Sequence, residues 1–229
     1  MRVVLFDIDG TLLLAGRQVR GIFRDALLEV FGTPGDIERF DFAGRTDPGI
    51  VLDLTRTAGI PEHEARAKLP RMREVYAEKL ERSLQREGMR LLPGVLELLE
   101  RLEARPDVTL GLLTGNWQPG AWSKLSRFGL DRFFSFGAFG CDAVERNDLT
   151  PFALERASAA AGRRFLPEEA LIIGDTKWDV ACARAHAVPV LGVATGHTPI
   201  EELRAAGADW VVPDLTGVAE IADLGPWLG

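Results

Sequence analysis

Arg2-Val3-Val4-Leu5-Phe6-Asp7-Ile8-Asp9-Gly10-Thr11 is an apolar, β-branched run that stops abruptly in two carboxylates, a glycine and a hydroxyl. Such a run has the pattern of a strand buried on both faces of a parallel sheet. Ligands of an open α/β sheet bind outside the carboxyl ends of its strands, and Asp7 and Asp9 fall there. Asp-Gly-Thr alone favours a plain turn. The second carboxylate two residues earlier favours a site, because like charges in one pocket repel unless a cation or a shared proton compensates.

Outward from this stretch the pattern first turns helical. Ile22, Ala26, Leu27, Val30 and Phe31 share one helical face, with Gly32 placed to end it. Pro48 opens a helix carrying Ile50, Val51 and Leu54, and a highly charged pattern from Glu62 to Arg86 follows, with Pro70 as an expected kink or break. Beyond Leu92-Pro93-Gly94, apolar segments at Val108–Leu113, Phe134–Ala138, Ala170–Ile173, Val188–Val193 and Asp209–Val212 alternate with helical ones. Alternation of this kind predicts an α/β fold, a doubly wound parallel sheet. The expected domains are a Rossmann-like core of residues 1–15 and 89–229, and a smaller all-α cap of residues 16–88 inserted after the first strand.

The chain of 229 residues is long enough for one sizeable core with a small appended domain. Its net charge of −7 leaves no electrostatic footprint for nucleic acid or an anionic membrane, so an anionic substrate needs locally placed cations. Cys141 and Cys182 cannot build a disulfide framework and are expected to be buried thiols, while His63, His186 and His197 show no metal spacing. Asp7 interrupts the first apolar run before a signal-peptide core could form, and no uncharged stretch is long enough to span a bilayer. The expected location is the cytoplasm.

In a parallel sheet the residues after each strand share one rim. That rim would collect Asp7 and Asp9, then Thr114-Gly115-Asn116, then Gly174-Asp175-Thr176-Lys177-Trp178-Asp179. In order and spacing these segments resemble the haloacid dehalogenase superfamily, in particular its aspartyl-phosphate phosphatases with a helical cap after the first strand. The resemblance covers essentially the whole chain. It implies that Asp7 is the nucleophile and that Asp9 protonates the leaving oxygen and later takes a proton from water. It implies a Mg²⁺ held by Asp7, the main-chain carbonyl of Asp9 and Asp175, with Asp179 fixing the metal site or its waters. Thr11, Thr114, Gly115 and Asn116 would meet the phosphate.

Members of this family place a lysine between the third and fourth strands, and here Asp142-Ala143-Val144-Glu145-Arg146-Asn147-Asp148-Leu149-Thr150-Pro151 has none. Arg146 is the candidate for that role and Lys177 its competitor. Dehalogenases of the superfamily lack the second aspartate. Its phosphonate hydrolases use a cap lysine, absent from the loop Phe42-Ala43-Gly44-Arg45-Thr46-Asp47. Arg45 in that loop is a candidate contact for a second anionic group on the substrate. The resemblance thus implies a Mg²⁺-dependent phosphatase, monomer or homodimer, acting on a small phosphorylated metabolite, with a phosphoglycolate-like acid first. A sugar-phosphate phosphatase or phosphomutase is the alternative within the superfamily. From other classes come a receiver-like signalling module, which lacks such a helical insertion, and a phospho-ligand-binding protein with little turnover.

Overall fold

The computed structural model describes residues 1–229. Six parallel strands form the central sheet: β1 (Arg2–Phe6), β4 (Val108–Leu113), β5 (Gly137–Ala138), β6 (Ala170–Gly174), β7 (Val190–Val193) and β8 (Trp210–Val212). Their order is β5-β4-β1-β6-β7-β8, which puts the first strand between β4 and β6. Phe6 is in register with Leu112 on one side and with Ile173 on the other, so the three tips that follow reach one rim.

Alternation along the strands feeds two cores. Val4 and Phe6 join Leu112 and Ile173 on one face, against α4 (Val95–Glu103), α5 (Gln118–Ser126) and α9 (Gly225–Leu228). Val3 and Leu5 join Leu113 and Ile172 on the other, against α6 (Leu149–Ala161), α7 (Lys177–Arg184) and α8 (Ile200–Ala205). The central strands β1, β6 and β7 are therefore buried on both faces, which is why their sequences are almost continuously apolar.

Between β1 and β4 the chain builds a cap from α1 (Arg17–Phe31), α2 (Asp47–Thr57) and α3 (Glu62–Ser83), with α1 packed on α3 and α2 on α3. A two-stranded antiparallel ribbon, β2 (Leu13–Leu14) with β3 (Arg90–Leu91), joins the start of this insertion to its end. The first core runs on without a break into the cap through Phe23, Tyr76 and Trp117. Trp117 stacks on Phe23 with centroids 6.3 Å apart and packs on Tyr76 at 6.1 Å, whereas Trp122 packs on Phe139 of the core.

Three local expectations change. Pro70 lies inside α3 without breaking it, because Met72, Val75, Tyr76 and Leu80 bury one face of the helix along its length. Only Gly137 and Ala138 of the run Phe134–Ala138 pair as a strand; Phe134 and Phe136 are apolar because they are buried, not because they join the sheet. Cys141 is exposed, while Cys182 is buried. No helix is long and apolar enough to cross a membrane.

Candidate active site

The first tip turns sharply at Gly10, whose φ of 91° is left-handed and suits glycine. A side chain there would run into the carboxylate of Asp175, as would one at Gly196. Asp175 follows β6 and is almost fully buried, and the Thr11 hydroxyl donates to its Oδ1 at 3.1 Å. Thr11 thus supports Asp175, its hydroxyl buried and engaged with that carboxylate.

Asp7, Asp175 and Asp179 bring carboxylate oxygens within 4.8 Å of one another. Burial pushes the Asp7 carboxyl up to about 6, against the pull of Arg146, with Asp179 and Asp9 adding to the rise. Burial, Asp179 and Asp7 likewise raise the Asp175 carboxyl. Asp7 Oδ1 is buried without a hydrogen-bond partner, although the Arg146 guanidinium stands 3.1 Å away as its ion pair. The buried carboxylates of Asp7 and Asp175, one orphaned oxygen and a cradle kept open by two glycines make an all-oxygen donor set that fits a hard divalent cation.

Arg146, at the head of α6, is itself buried. Burial opposes its charge, but Asp179 and Asp7 more than offset this and hold the guanidinium charged. Asp179 caps the turn before α7: its Oδ2 accepts from the Thr176 N–H at 3.0 Å and the Thr176 hydroxyl at 2.6 Å, and its Oδ1 accepts from Arg146. Both of its oxygens are therefore committed, and Asp179 acts on the cluster through Arg146. Lys177 is exposed, with its ammonium over the Trp178 ring at 5.8 Å, and reaches no member of the cluster. The first residue of α7 points to solvent here while Asp179, two residues on, points inward.

Asp9 differs from the metal set. Its Oδ2 accepts from Lys124 Nζ at 2.5 Å and from Asn116 Nδ2 at 2.8 Å, so its carboxylate turns away from Asp7 and Asp175. Asn116 also donates to Thr114 Oγ1 at 2.8 Å and accepts from Lys124 at 2.6 Å. Thr114 and Gly115 line the same cavity. Lys124, 3% exposed, is the site residue that motif reading passes over. Its signal is its place on the helical stripe Trp117-Ala121-Lys124, where a lysine among buried residues needs a buried partner.

The cap closes this rim. Thr46 caps α2 by accepting from the Gly49 N–H and donates to the Val144 carbonyl of the core. The next residue, Asp47, donates its N–H to the Gly115 carbonyl at 2.8 Å and accepts from the Trp117 N–H at 2.7 Å. Burial pushes the Asp47 carboxyl up to about 6, with Lys124 and the Trp117 N–H pulling it down and Asp9 pushing it further up. Together the cap and rim enclose a cavity of about 470 Å³ that includes Asp7, Asp9, Asp47, Tyr76, Lys124 and Arg146. Arg45 also lines it, but pairs with Asp53 of α2 and lies 5.6 Å from the Phe40 ring centroid. The cation expected to meet a second anionic group thus lines the cavity while paired with Asp53.

The family model described as haloacid dehalogenase-like hydrolase matches residues 1–186. Among curated relatives, "Phosphoglycolate phosphatase 1" of Pseudomonas aeruginosa is 27% identical, over 97% of this chain and 80% of that protein. "Phosphoglycolate phosphatase" of Synechococcus elongatus is 28% identical, over 93% of this chain and 92% of that one. Among solved structures, a hydrolase from Pseudomonas syringae superposes with a TM-score of 0.69 at 27% identity, covering 97% of this chain and all of that one. The chain belongs to the haloacid dehalogenase-like hydrolases, in their phosphatase branch.

Proposed function

We propose that the protein hydrolyses the phosphate ester of a small cytoplasmic metabolite through a phosphorylated Asp7. The observation that carries this reading is the convergence at one rim of Asp7, Asp9 and Asp175 with the buried cation of Arg146 beside Asp7. An Asp7 oxygen attacks phosphorus while the P–O bond to the leaving group breaks, and Asp9 gives its proton to that leaving oxygen. Water then attacks the aspartyl-phosphate, Asp9 takes its proton, and inorganic phosphate leaves with Asp7 restored. Arg146 offsets charge on the phosphoryl oxygens, and Asn116 with Thr114 supplies polar groups at the second tip.

Asp7 and Asp175, with the main-chain carbonyl of Asp9, would hold Mg²⁺. Once bound, that ion supplies Lewis-acid neutralisation of the phosphoryl oxygens. The helical insertion over the rim limits the substrate to something the cavity can accommodate. Because the curated relatives carry the name phosphoglycolate phosphatase, 2-phosphoglycolate is the first natural substrate to test.

The test is phosphate release from p-nitrophenyl phosphate with and without Mg²⁺. Wild-type protein should show metal-dependent release, and Asp7→Asn should lose at least a thousandfold, the order expected when a nucleophile is removed. Release that persists in Asp7→Asn would overturn the reading.

A further inference from the structure

Asp9 is held at one oxygen only. Lys124 and Asn116 both donate to Oδ2, at 2.5 and 2.8 Å, and no hydrogen bond reaches Oδ1. The two anchors are themselves linked, since Lys124 also donates to Asn116 Oδ1 at 2.6 Å. With both donors on Oδ2, Oδ1 is the oxygen left free of a partner. Half-buried Asp9 lines the catalytic cavity, so that free oxygen is the one available to a substrate.

Lys124 is an unusual residue to spend on this. A lysine 3% exposed loses its hydration, and it is kept here between Asp9 of the core and the buried Asp47 of the cap, whose carboxyl it draws down. It lies within α5, beyond the strand tips that supply Asp7, Asp9, Thr114 and Asp175. Its ammonium touches neither Asp7 nor Asp175 in any ion pair, so its action on the reaction runs through Asp9.

We infer that Lys124 is a positioning residue for the phosphatase reaction, anchoring Asp9 by Oδ2 so that Oδ1 delivers the proton to the departing ester oxygen. This rests on the phosphatase reading above. The consequence falls on one class of substrate more than another. Phosphoryl transfer to Asp7 breaks the ester bond and leaves an electron pair on the leaving oxygen. That oxygen needs Asp9's proton when it would otherwise depart as a strong base, and much less when it departs as a stable anion.

The experiment compares kcat/KM for phenyl phosphate, whose phenolate has a conjugate acid of pKa about 10 like tyrosine, with that for p-nitrophenyl phosphate, a much better leaving group of similar shape. Lys124→Met should reduce kcat/KM for phenyl phosphate at least tenfold more than for p-nitrophenyl phosphate. The ratio of the two, measured on one preparation, is independent of how much of the variant is folded. Asn116→Ala, which removes the second anchor, should move the ratio in the same direction. Equal losses on both substrates, or none on either, would overturn the inference while leaving the phosphatase reading intact. Absence of Asp7-dependent release in the wild type would overturn both.

Discussion

Arg146 contacts two buried carboxylates at once, Asp7 at 3.1 Å and Asp179 at closer range, and it stands where the family's lysine is missing. Deleting a partner from a buried pair leaves uncompensated charge and costs about 3–5 kcal/mol. Arg146→Ala should therefore lower turnover by about 10²–10³ and also lower the melting temperature, read by steady-state kinetics and a thermal melt. Lys177→Ala should keep activity within about twofold, as surface substitutions do. At this scale Asp7, Asp9 and Asp175 were legible because each follows an apolar strand at a motif spacing. Lys124 was not, since nothing in the spacing of α5 says that its ammonium meets an aspartate 115 residues earlier. Arg45 was legible as a cap-loop cation, but its pairing with Asp53 depends on α2, which starts two residues further on and carries Asp53 in its second turn.

The loop from Ala43 to Asp47 is the element that seats the cap. Gly44 takes a φ of 65°, and a Cβ there would run into Trp178 and Thr176 of the core. Arg146 also donates to the Gly44 carbonyl at 3.3 Å, so the loop shares a contact with the buried cation beside Asp7. Gly44→Ala combines left-handed strain, about 1–2 kcal/mol, with that clash. Its expected outcome is a fall in kcat/KM of about tenfold with the circular dichroism of the core unchanged. Adding Trp178→Ala should recover part of the loss, because it removes the contact with the indole ring and leaves the strain and the contact with Thr176. Elements with strong apolar periodicity, such as β4 and α4, read correctly from sequence. The third strand read too long because burial of Phe134 and Phe136 mimics strand pattern without strand pairing.

For the molecule as a whole, the closed cap stores a proton-dependent cost. Asp47 sits at about 6 when folded against 3.8 for an exposed aspartate, so the folded state binds the proton more tightly. Its contribution to stability is fully present below about pH 4 and is lost as pH rises through about 6. Asp47→Asn keeps an acceptor for the Trp117 N–H and removes this dependence. Urea unfolding should find the variant gaining on the parent between pH 4.5 and 7, by no more than about 3 kcal/mol. A gain independent of pH would contradict the assignment. The same fold also separates what can vary from what cannot. A flexible insertion pays a loop-closure entropy that grows with its length. The ribbon pairs Leu13 with Leu91 and Leu14 with Arg90, so the two ends of the cap already lie side by side whatever runs between them. Helices can be lengthened, shortened or exchanged there without stretching the sheet or disturbing its tips. Substrate preference can therefore drift by changes in the insertion, while the phosphoryl chemistry stays with strands that never have to move.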